Sequence, residues 1–419
     1  MQPRRVVITG VGLCSPIGSS LDEVMTSLRQ GRHGIQVMPA WERIVDLRTK
    51  LGGVVTLDLA GRYPRKKTRS MGRVSLLATY ATEQAIADAG LDAALVSSGA
   101  VGLAYGSTTG SSDAMEEFCG TLFTSYSLRG LSGSSYLKMM SNTCAANLGQ
   151  FFQLRGRVIT TCSACTSGSQ AIGYAYESVK YGLQEVMVAG GAEELHFASA
   201  ATFDLMFATS AGFNDRPDLS PRPFDVRRDG LVIGEGAGTV VLESYERARA
   251  RGARIYGEIV GFGTNCDGAH VTAPEEAGMA EAMRLALRDA GLDPGAIDYV
   301  NAHGTATEIG DIAESSATRR VFEREVPFSS SKSFTGHTLG ACGALELIFC
   351  AGMIRDGFLA PTRNLEAVDP RCAALDYIRA PRPASPSLIM SNNFAFGGVN
   401  TSLILGKIAE AGAPMIVGV

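Results

Sequence analysis

Short apolar runs alternate with longer helical patterns along this 419-residue chain, and this alternation restricts the fold more than any other feature. Strand-like runs lie at 101–105, 186–190 and 297–300, and helical patterns lie at 76–89, 171–181 and 279–290. Runs of this kind predict mainly parallel sheets covered by helices on their faces. The sequence therefore predicts an α/β fold.

The composition is that of a large globular protein: 45% of residues are hydrophobic, 19% are charged and 49 are glycine. A chain of this length ordinarily forms more than one domain, or one domain with an internal duplication. The net charge of −4 gives no reason to expect nucleic acid or an anionic membrane as a partner. No segment approaches the roughly 18 uninterrupted apolar residues of a membrane helix.

The cysteines point to a reducing compartment. All nine are widely scattered. No Cys-x-x-Cys pair is accompanied by a second such pair or by histidines at metal-ligand spacing. Free thiols are the simplest interpretation, and we expect a soluble, cytoplasmic protein that holds no metal.

Three short polar segments bring together residue types that carry chemistry. Residues 163–168 contain Cys165, residues 301–307 contain His303, and residues 331–337 contain both Lys332 and His337. A cysteine with two histidines indicates a thiol nucleophile with an imidazole pair. His33 and His196 lack such surroundings, and we interpret them as structural.

The position of Cys165 favours a reactive thiol. A strand predicted at 157–161 precedes it and a helix predicted at 170–181 follows it, so Cys165 falls at the turn between them. The positive end of a helix dipole stabilises a thiolate. Cys162, three residues earlier, is predicted to remain in the strand and to be structural.

These segments resemble the β-ketoacyl-acyl carrier protein synthases of the thiolase-like condensing-enzyme superfamily, and the resemblance extends from the strand at 6–10 to Ile404. It implies a layered α/β/α/β/α fold of two similar halves, although the halves do not repeat recognisably in sequence. Residues 1–252 would form the half with the nucleophile, 253–410 the half with the histidines, and 411–419 a tail. Gly10 and Gly12 match only part of a dinucleotide-binding motif and indicate a tight turn. The resemblance also implies a homodimer.

The resemblance implies a decarboxylative Claisen condensation in fatty acid or polyketide and polyene chain elongation. Cys165 would carry the acyl group, while His303 and His337 stabilise the enolate formed from malonyl-acyl carrier protein. The product would be a 3-oxoacyl-acyl carrier protein. No cofactor is implied, because the 4′-phosphopantetheine belongs to the acyl carrier protein partner.

Further residues take roles by the same resemblance. Lys332 would be buried and paired with Glu346, and the backbone N–H groups of Phe396 and Cys165 would form the oxyanion hole. Ala395 departs from the family, in which glycine is usual, so we expect a slower or more restricted gate at the Phe396 ring.

Substrate contacts follow from the resemblance too. Thr305 and Thr307 would bind the pantetheine amides, and Phe394 and Thr108 would contact the acyl group. The dense basic stretch that runs from Arg62 to Arg73 would dock an acidic carrier protein. The docking residues are Arg65, Lys66, Lys67 and Arg69.

Several alternatives differ in function. Thiolases have a second cysteine in the C-terminal glycine-rich loop, which residues 392–400 lack, and initiating synthases usually have asparagine where His337 stands. A non-catalytic chain-length partner subunit would lack the nucleophile, whereas Cys165 is present. Residues 162–170 and 173–177 resemble synthases of aryl-polyene pigment clusters, so a specialised ketosynthase stays open. Chain length is not predicted.

Overall fold

The computed structural model describes residues 3–408, and one large sheet runs through it. The tail predicted at 411–419 lies outside the described residues. The strands are β1 (Val6–Cys14), β2 (Ile35–Val37), β3 (Leu51–Gly53), β4 (Val101–Gly106), β5 (Val158–Thr161), β6 (Val186–Glu193), β7 (Ile233–Gly234), β8 (Gly236–Ser244), β9 (Gly257–Cys266), β10 (Tyr299–Asn301), β11 (Pro327–Ser329), β12 (Phe358–Leu359), β13 (Asp376–Tyr377), β14 (Arg382–Pro383), β15 (Leu388–Phe394) and β16 (Val399–Gly406).

Helices separate most of these strands. They are α1 (Leu21–Gln30), α2 (Arg65–Thr68), α3 (Arg73–Asp88), α4 (Ala93–Val96), α5 (Ser112–Ser125), α6 (Gly133–Met139), α7 (Thr143–Phe151), α8 (Ser167–Lys180), α9 (Phe197–Leu205), α10 (Tyr245–Ala250), α11 (Glu276–Ala290), α12 (Glu308–Phe322), α13 (Lys332–Thr335) and α14 (Cys342–Asp356). The strand predicted at 297–300 is shifted to Tyr299–Asn301.

The strand order shows the same arrangement twice. In the first half the order is β5-β4-β6-β8-β1, and in the second it is β11-β10-β15-β16-β9, with β13 added outside β11. In both, the first three strands are parallel and the last two pair antiparallel. Pairing of β1 with β9 joins the halves into one 11-stranded sheet. The division proposed at residues 252–253 falls between α10 and β9.

Three apolar cores lie between the layers of helices and sheet. One lies between α3 and the first half of the sheet, and another between α11, α12 and the second half. The third contains α8 and α14, which pack against each other between the two halves. Nearly all of α14 is buried, which is typical of a helix covered on every side. This arrangement agrees with the predicted five layers.

Glycines explain how the outer helices approach the sheet. A Cβ at Gly10 or Gly12 would lie 2.3 Å from the Ala85 oxygen or 2.0 Å from the Ala81 oxygen of α3. Gly261 and Gly263 on β9 make the same approach to α11, with oxygen distances of 2.3 and 2.2 Å. The partial glycine motif of β1 therefore serves helix packing, and its turn interpretation is wrong because both glycines lie inside the strand.

Candidate active site

Cys165 lies on a sharp connection between β5 and α8. The strand ends at Thr161, a single 3₁₀ turn spans Ala164–Thr166, and α8 begins at Ser167. Ala164 takes a left-handed conformation with φ of 49°, which side chains other than glycine rarely adopt. This strained turn places Cys165 at the N-terminal end of a buried helix, as the sequence predicted, and leaves it 5% exposed.

Both predicted histidines meet Cys165, although they come from the other half. His337 Nε2 lies 3.0 Å from Cys165 Sγ. The rings of His303 and His337 are 5.0 Å apart and nearly perpendicular. Nitrogen and sulfur atoms of the three residues all lie within 4.8 Å of one another. The site can therefore hold one reacting group between a sulfur and two imidazoles.

The charge state of Cys165 differs from the sequence prediction. Burial raises the pKa of the thiol to about 12, against smaller opposing effects of Lys332 and of the Phe396 backbone N–H. Burial, reinforced by Lys332, also holds the pKa values of His303 and His337 well below 6.5. Desolvation thus outweighs the helix dipole, and at neutral pH the resting site contains a thiol and two neutral imidazoles. A neutral imidazole can accept the thiol proton as sulfur attacks.

Lys332 and Glu346 form a buried ion pair beside this cluster. Nζ lies 2.5 Å from Glu346 Oε1, and the Asn393 amide donates to Oε2 at 2.7 Å. Burial disfavours a charged Lys332, but the facing carboxylate outweighs it and raises the lysine pKa. The ammonium therefore stays charged and keeps the histidines neutral.

The loop at 395–398 connects β15 to β16 and brings Phe396 over the nucleophile. Its backbone N–H and that of Cys165 both act to lower the pKa of the thiol, because they favour negative charge on the sulfur. Positive φ values occur at Gly397 and Gly398, at 90° and 75°, whereas Ala395 is not among the described residues with positive φ. Ala395 therefore causes no backbone strain in this conformation, and a slower gate stays a prediction.

Two buried carboxylates that the sequence analysis missed organise the His303 segment. Glu314 accepts the backbone N–H groups of His303 and Gly304 at 2.7 and 2.6 Å, and Asp311 accepts that of Ala306 at 3.1 Å. Burial raises their pKa values to about 8 and 7. Their spacing of three residues at the start of α12, directly after the histidine segment, was the available signal.

A cavity of about 520 Å³ opens onto the three reactive side chains. Its lining includes most of the predicted site residues: Cys165, His303, His337, Thr305, Thr307, Phe394 and Phe396. The hydroxyls of Thr305 and Thr307 lie 2.9 Å apart. Thr108 is not among the lining residues, because its hydroxyl and N–H donate to Glu193 at 2.7 and 3.0 Å. Its contact with an acyl group stays a prediction.

The basic stretch divides into paired and free residues. Arg62 pairs with Glu83 and Arg73 with Glu235, so neither contributes a free charge. The predicted docking residues Arg65, Lys66, Lys67 and Arg69 are exposed on and beside the short helix α2. They form the surface named here the α2 patch.

Cys162 lies just beyond the end of β5 and is exposed, so its placement inside the strand was wrong. Its sulfur contacts the Thr108 carbonyl at 3.1 Å rather than the histidines.

Donor atoms close enough to share a cation occur twice among residues 3–408. One group is Cys165, His303 and His337, and the other is the exposed Asp113 and Glu116 with the buried His196. A thiol and two imidazoles suit Zn²⁺, but an ion there would occupy the space that a thioester needs to reach sulfur. Function without a metal stays a prediction.

Comparison with known proteins identifies the family. Residues 3–248 match the beta-ketoacyl synthase N-terminal domain, and residues 256–366 match the beta-ketoacyl synthase C-terminal domain. This chain belongs to the beta-ketoacyl synthase family. The ketosynthase is 39% identical to 3-oxoacyl-[acyl-carrier-protein] synthase 1 of Escherichia coli K12, over 97% of this chain and all of the relative.

Solved structures agree with that assignment. A beta-ketoacyl synthase from Burkholderia phymatum is 52% identical, with a TM-score of 0.94 over 97% of the ketosynthase and all of that chain. A second structure is the complex of AntDE with AntF, in which a type II polyketide acyl-carrier protein is bound to its ketosynthase. The matched chain is 28% identical to this chain, with a TM-score of 0.88 over 97% of this chain and 100% of that chain.

These matches confirm the predicted family, the thiolase-like fold and the acyltransferase class of an elongating ketosynthase. They do not favour the non-catalytic subunit or the aryl-polyene alternative. In residues 3–408, no helix has the length and apolar character needed to cross a membrane.

Proposed function

We propose that this ketosynthase condenses an acyl group with malonyl-acyl carrier protein and releases 3-oxoacyl-acyl carrier protein and CO₂ in fatty acid chain elongation. The observation that carries the proposal is the 3.0 Å contact between Cys165 Sγ and His337 Nε2. A relative named for this reaction matches 97% of this chain.

In the first step, Cys165 attacks the thioester carbonyl. Its proton passes to His337 Nε2, and the N–H groups of Cys165 and Phe396 bind the oxygen as it becomes negative. Collapse of this intermediate forms the acyl-cysteine thioester, breaks the bond to the carrier thiolate and returns the proton to that leaving sulfur.

In the second step, the malonyl group enters the same cavity. Its carboxylate leaves as CO₂, and the electron pair forms an enolate whose oxygen accepts hydrogen bonds from His303 and His337. The enolate carbon attacks the acyl carbonyl, the Cys165 sulfur departs as a thiolate, and one proton taken up from solvent restores the thiol. Burial favours this step, because a neutral imidazole donates without a competing water.

The carrier supplies the 4′-phosphopantetheine arm, so the proposal needs no resident cofactor. Thr305 and Thr307 would bind the arm's amides, Phe394 and Thr108 would contact the acyl group, and the α2 patch would attract the acidic carrier. The AntF complex supports a carrier protein as the partner class. We also propose that the protein is a homodimer and that it acts in the cytoplasm.

Intact-mass spectrometry tests the reaction. The protein is incubated with acyl-carrier proteins of several chain lengths, then with malonyl-carrier protein, and Cys165→Ala is run alongside. We expect one acyl adduct on the wild type and Cys162→Ala, none on Cys165→Ala, and a product two carbons longer. Absence of any acyl adduct on the wild type would contradict catalysis and favour a non-catalytic subunit.

A further inference from the structure

Large apolar side chains surround the mouth of the cavity and remain exposed. Phe207, Val271 and Ile309 are 78%, 69% and 63% exposed, and all three line the cavity that leads to Cys165. They come from three separate segments: the connection after α9, the loop after β9 and the start of α12. We name these three residues the apolar collar. Contiguous exposed apolar surface commonly marks a binding site.

Phe207 is held outward at a conformational cost. Its φ is 55°, in the left-handed region that bulky residues avoid. The Phe207 N–H donates to the Asp204 carbonyl at 3.0 Å, which closes the turn at the end of α9. Strain maintained by surrounding structure is more frequent at functional sites than elsewhere.

Arg48 supports the Phe207 ring. Its guanidinium lies 4.3 Å from the ring centroid and pairs with the Asp204 carboxylate at 3.3 Å. The Arg48 backbone N–H also donates to Asp204 at 2.9 Å. Asp204 therefore anchors both: its carboxylate binds Arg48, and its backbone carbonyl closes the turn that presents the ring. Arg48 itself stays 42% exposed and adds a cation beside the collar.

We propose that the apolar collar, with Phe207 as its anchor, is a contact surface for the carrier protein around its prosthetic arm. The inference rests on the proposed function, because a thioester attached to a protein can reach Cys165 only with that protein's surface lying over the cavity mouth. A rigid aromatic anchor at the centre of an interface typically supplies much of the binding. The collar thus adds an apolar contact to the electrostatic attraction of the α2 patch.

Phe207→Gly isolates the ring, since glycine takes a left-handed φ without strain and the variant should fold at least as well as the wild type. Tyr181→Ala is the matched control: its exposed aromatic ring lies at the end of α8 opposite Cys165. The dissociation constant of holo-acyl carrier protein is measured on the Cys165→Ala background, which requires no turnover.

We expect Phe207→Gly to weaken carrier binding roughly tenfold or more and Tyr181→Ala to leave it unchanged. In otherwise wild-type protein, the ratio of kcat/KM for octanoyl-carrier protein to that for octanoyl-N-acetylcysteamine should fall to the same extent. The loss should persist at high salt, whereas charge reversal at Arg65 and Lys66 should matter less there.

Unchanged carrier affinity in Phe207→Gly, or equal slowing with both thioesters, would overturn the inference. The binding measurement separates this failure from that of the proposed function. If the wild type binds carrier through Phe207 but never acquires an acyl group, the collar stands and the catalytic proposal fails.

Discussion

The turn that holds the nucleophile in the first half has a counterpart in the second. Ala164 begins the 3₁₀ turn before α8 with φ of 49°, and Leu339 begins the 3₁₀ turn before α14 with φ of 47°. Cys165 follows the first of these residues and Gly340 follows the second. The two helix starts meet closely, because a Cβ at Gly168 would lie 2.7 Å from the Gly340 oxygen.

What differs is the connection before each turn. In the first half only residues 162–163 separate β5 from the turn, whereas in the second half residues 330–338 separate β11 from it. That longer segment contains Lys332 and His337. Under the proposed function, one turn presents the nucleophile, and the equivalent connection in the second half presents Lys332 and His337. The two halves thus differ at the residues proposed for catalysis, while their shared arrangement brings those residues together.

Lys332→Met should give the largest effect on stability. It leaves Glu346 buried without its counter-charge, which costs about 3–5 kcal/mol of the free energy of unfolding. Urea denaturation measures the loss. The exposed pair of Arg288 and Glu281 is the control, because Arg288→Ala should cost under about 1 kcal/mol. Equal losses in the free energy of unfolding would show that the buried pair stabilises the protein no more than the exposed pair.

We expect substitutions of the two histidines to affect different reaction steps. His303→Ala and His337→Ala should each slow decarboxylative condensation by roughly 10²–10³, the usual effect of losing one oxyanion donor. Only His337→Ala should also slow acylation, because only His337 bonds the sulfur at 3.0 Å. Single-turnover mass spectrometry follows the acyl-enzyme, and trapped CO₂ follows the second step. Equal slowing of acylation in both variants would contradict this division.

Gly340→Ala tests whether the second turn tolerates a side chain as the first does. The new Cβ would lie 2.8 Å from the Thr108 nitrogen and 2.9 Å from Glu193 Oε2, so we expect a loss of about 1–3 kcal/mol from overpacking. Cys165→Ala, at the equivalent position, should fold normally. Thermal and urea unfolding of the two variants decide the point. A Gly340→Ala protein as stable as the wild type would break the comparison.

The smallest predicted effect is a pH dependence that arises in the second half. Burial and Lys332 hold the pKa values of His303 and His337 well below 6.5 in the folded protein, while in the unfolded chain both titrate near 6.5. Below about pH 6.5 these two side chains therefore bind more protons in the unfolded chain, and their contribution to stability falls as the pH falls.

Each histidine should contribute a slope of up to about 1.4 kcal/mol per pH unit. Compared with the wild type, His337→Asn should therefore gain free energy of unfolding as the pH falls from 6.5 to 5, by up to that slope. Urea titrations at several pH values measure it. Wild-type and variant curves that run parallel would show that His337 is already protonated in the folded protein.

The fold was largely predictable from the sequence, yet its duplication was not. Alternating apolar runs indicated the sheet and helices, but most positions of the two halves carry different residues. The retained signal is small: Gly10 and Gly12 repeat as Gly261 and Gly263, and both pairs face alanines on the helix that packs against their strand. Packing preserves the small residues at close approaches and leaves the rest free to change.

In the site, sequence motifs identified the cysteine and the histidines that the structure brings together, but not the groups that hold them. Cys165, His303 and His337 stand in distinctive segments, whereas Glu314 and Asp311 act on backbone N–H groups and leave only their three-residue spacing as a signal. The helix start predicted a thiolate, but the burial that raises the Cys165 pKa to about 12 depends on the other half. Exposure of Phe207 likewise depends on tertiary structure.

The position of β16 also affects how the protein matures during synthesis. This strand, the last one described, inserts between β15 and β9, and the Phe396 loop directly precedes it. A growing chain can complete the Cys165 half early, since domains fold as they leave the ribosome. The proposed oxyanion hole forms only once residues 399–406 have been synthesised and β16 has inserted. Until then a growing chain can hold a folded Cys165 without the Phe396 N–H beside it.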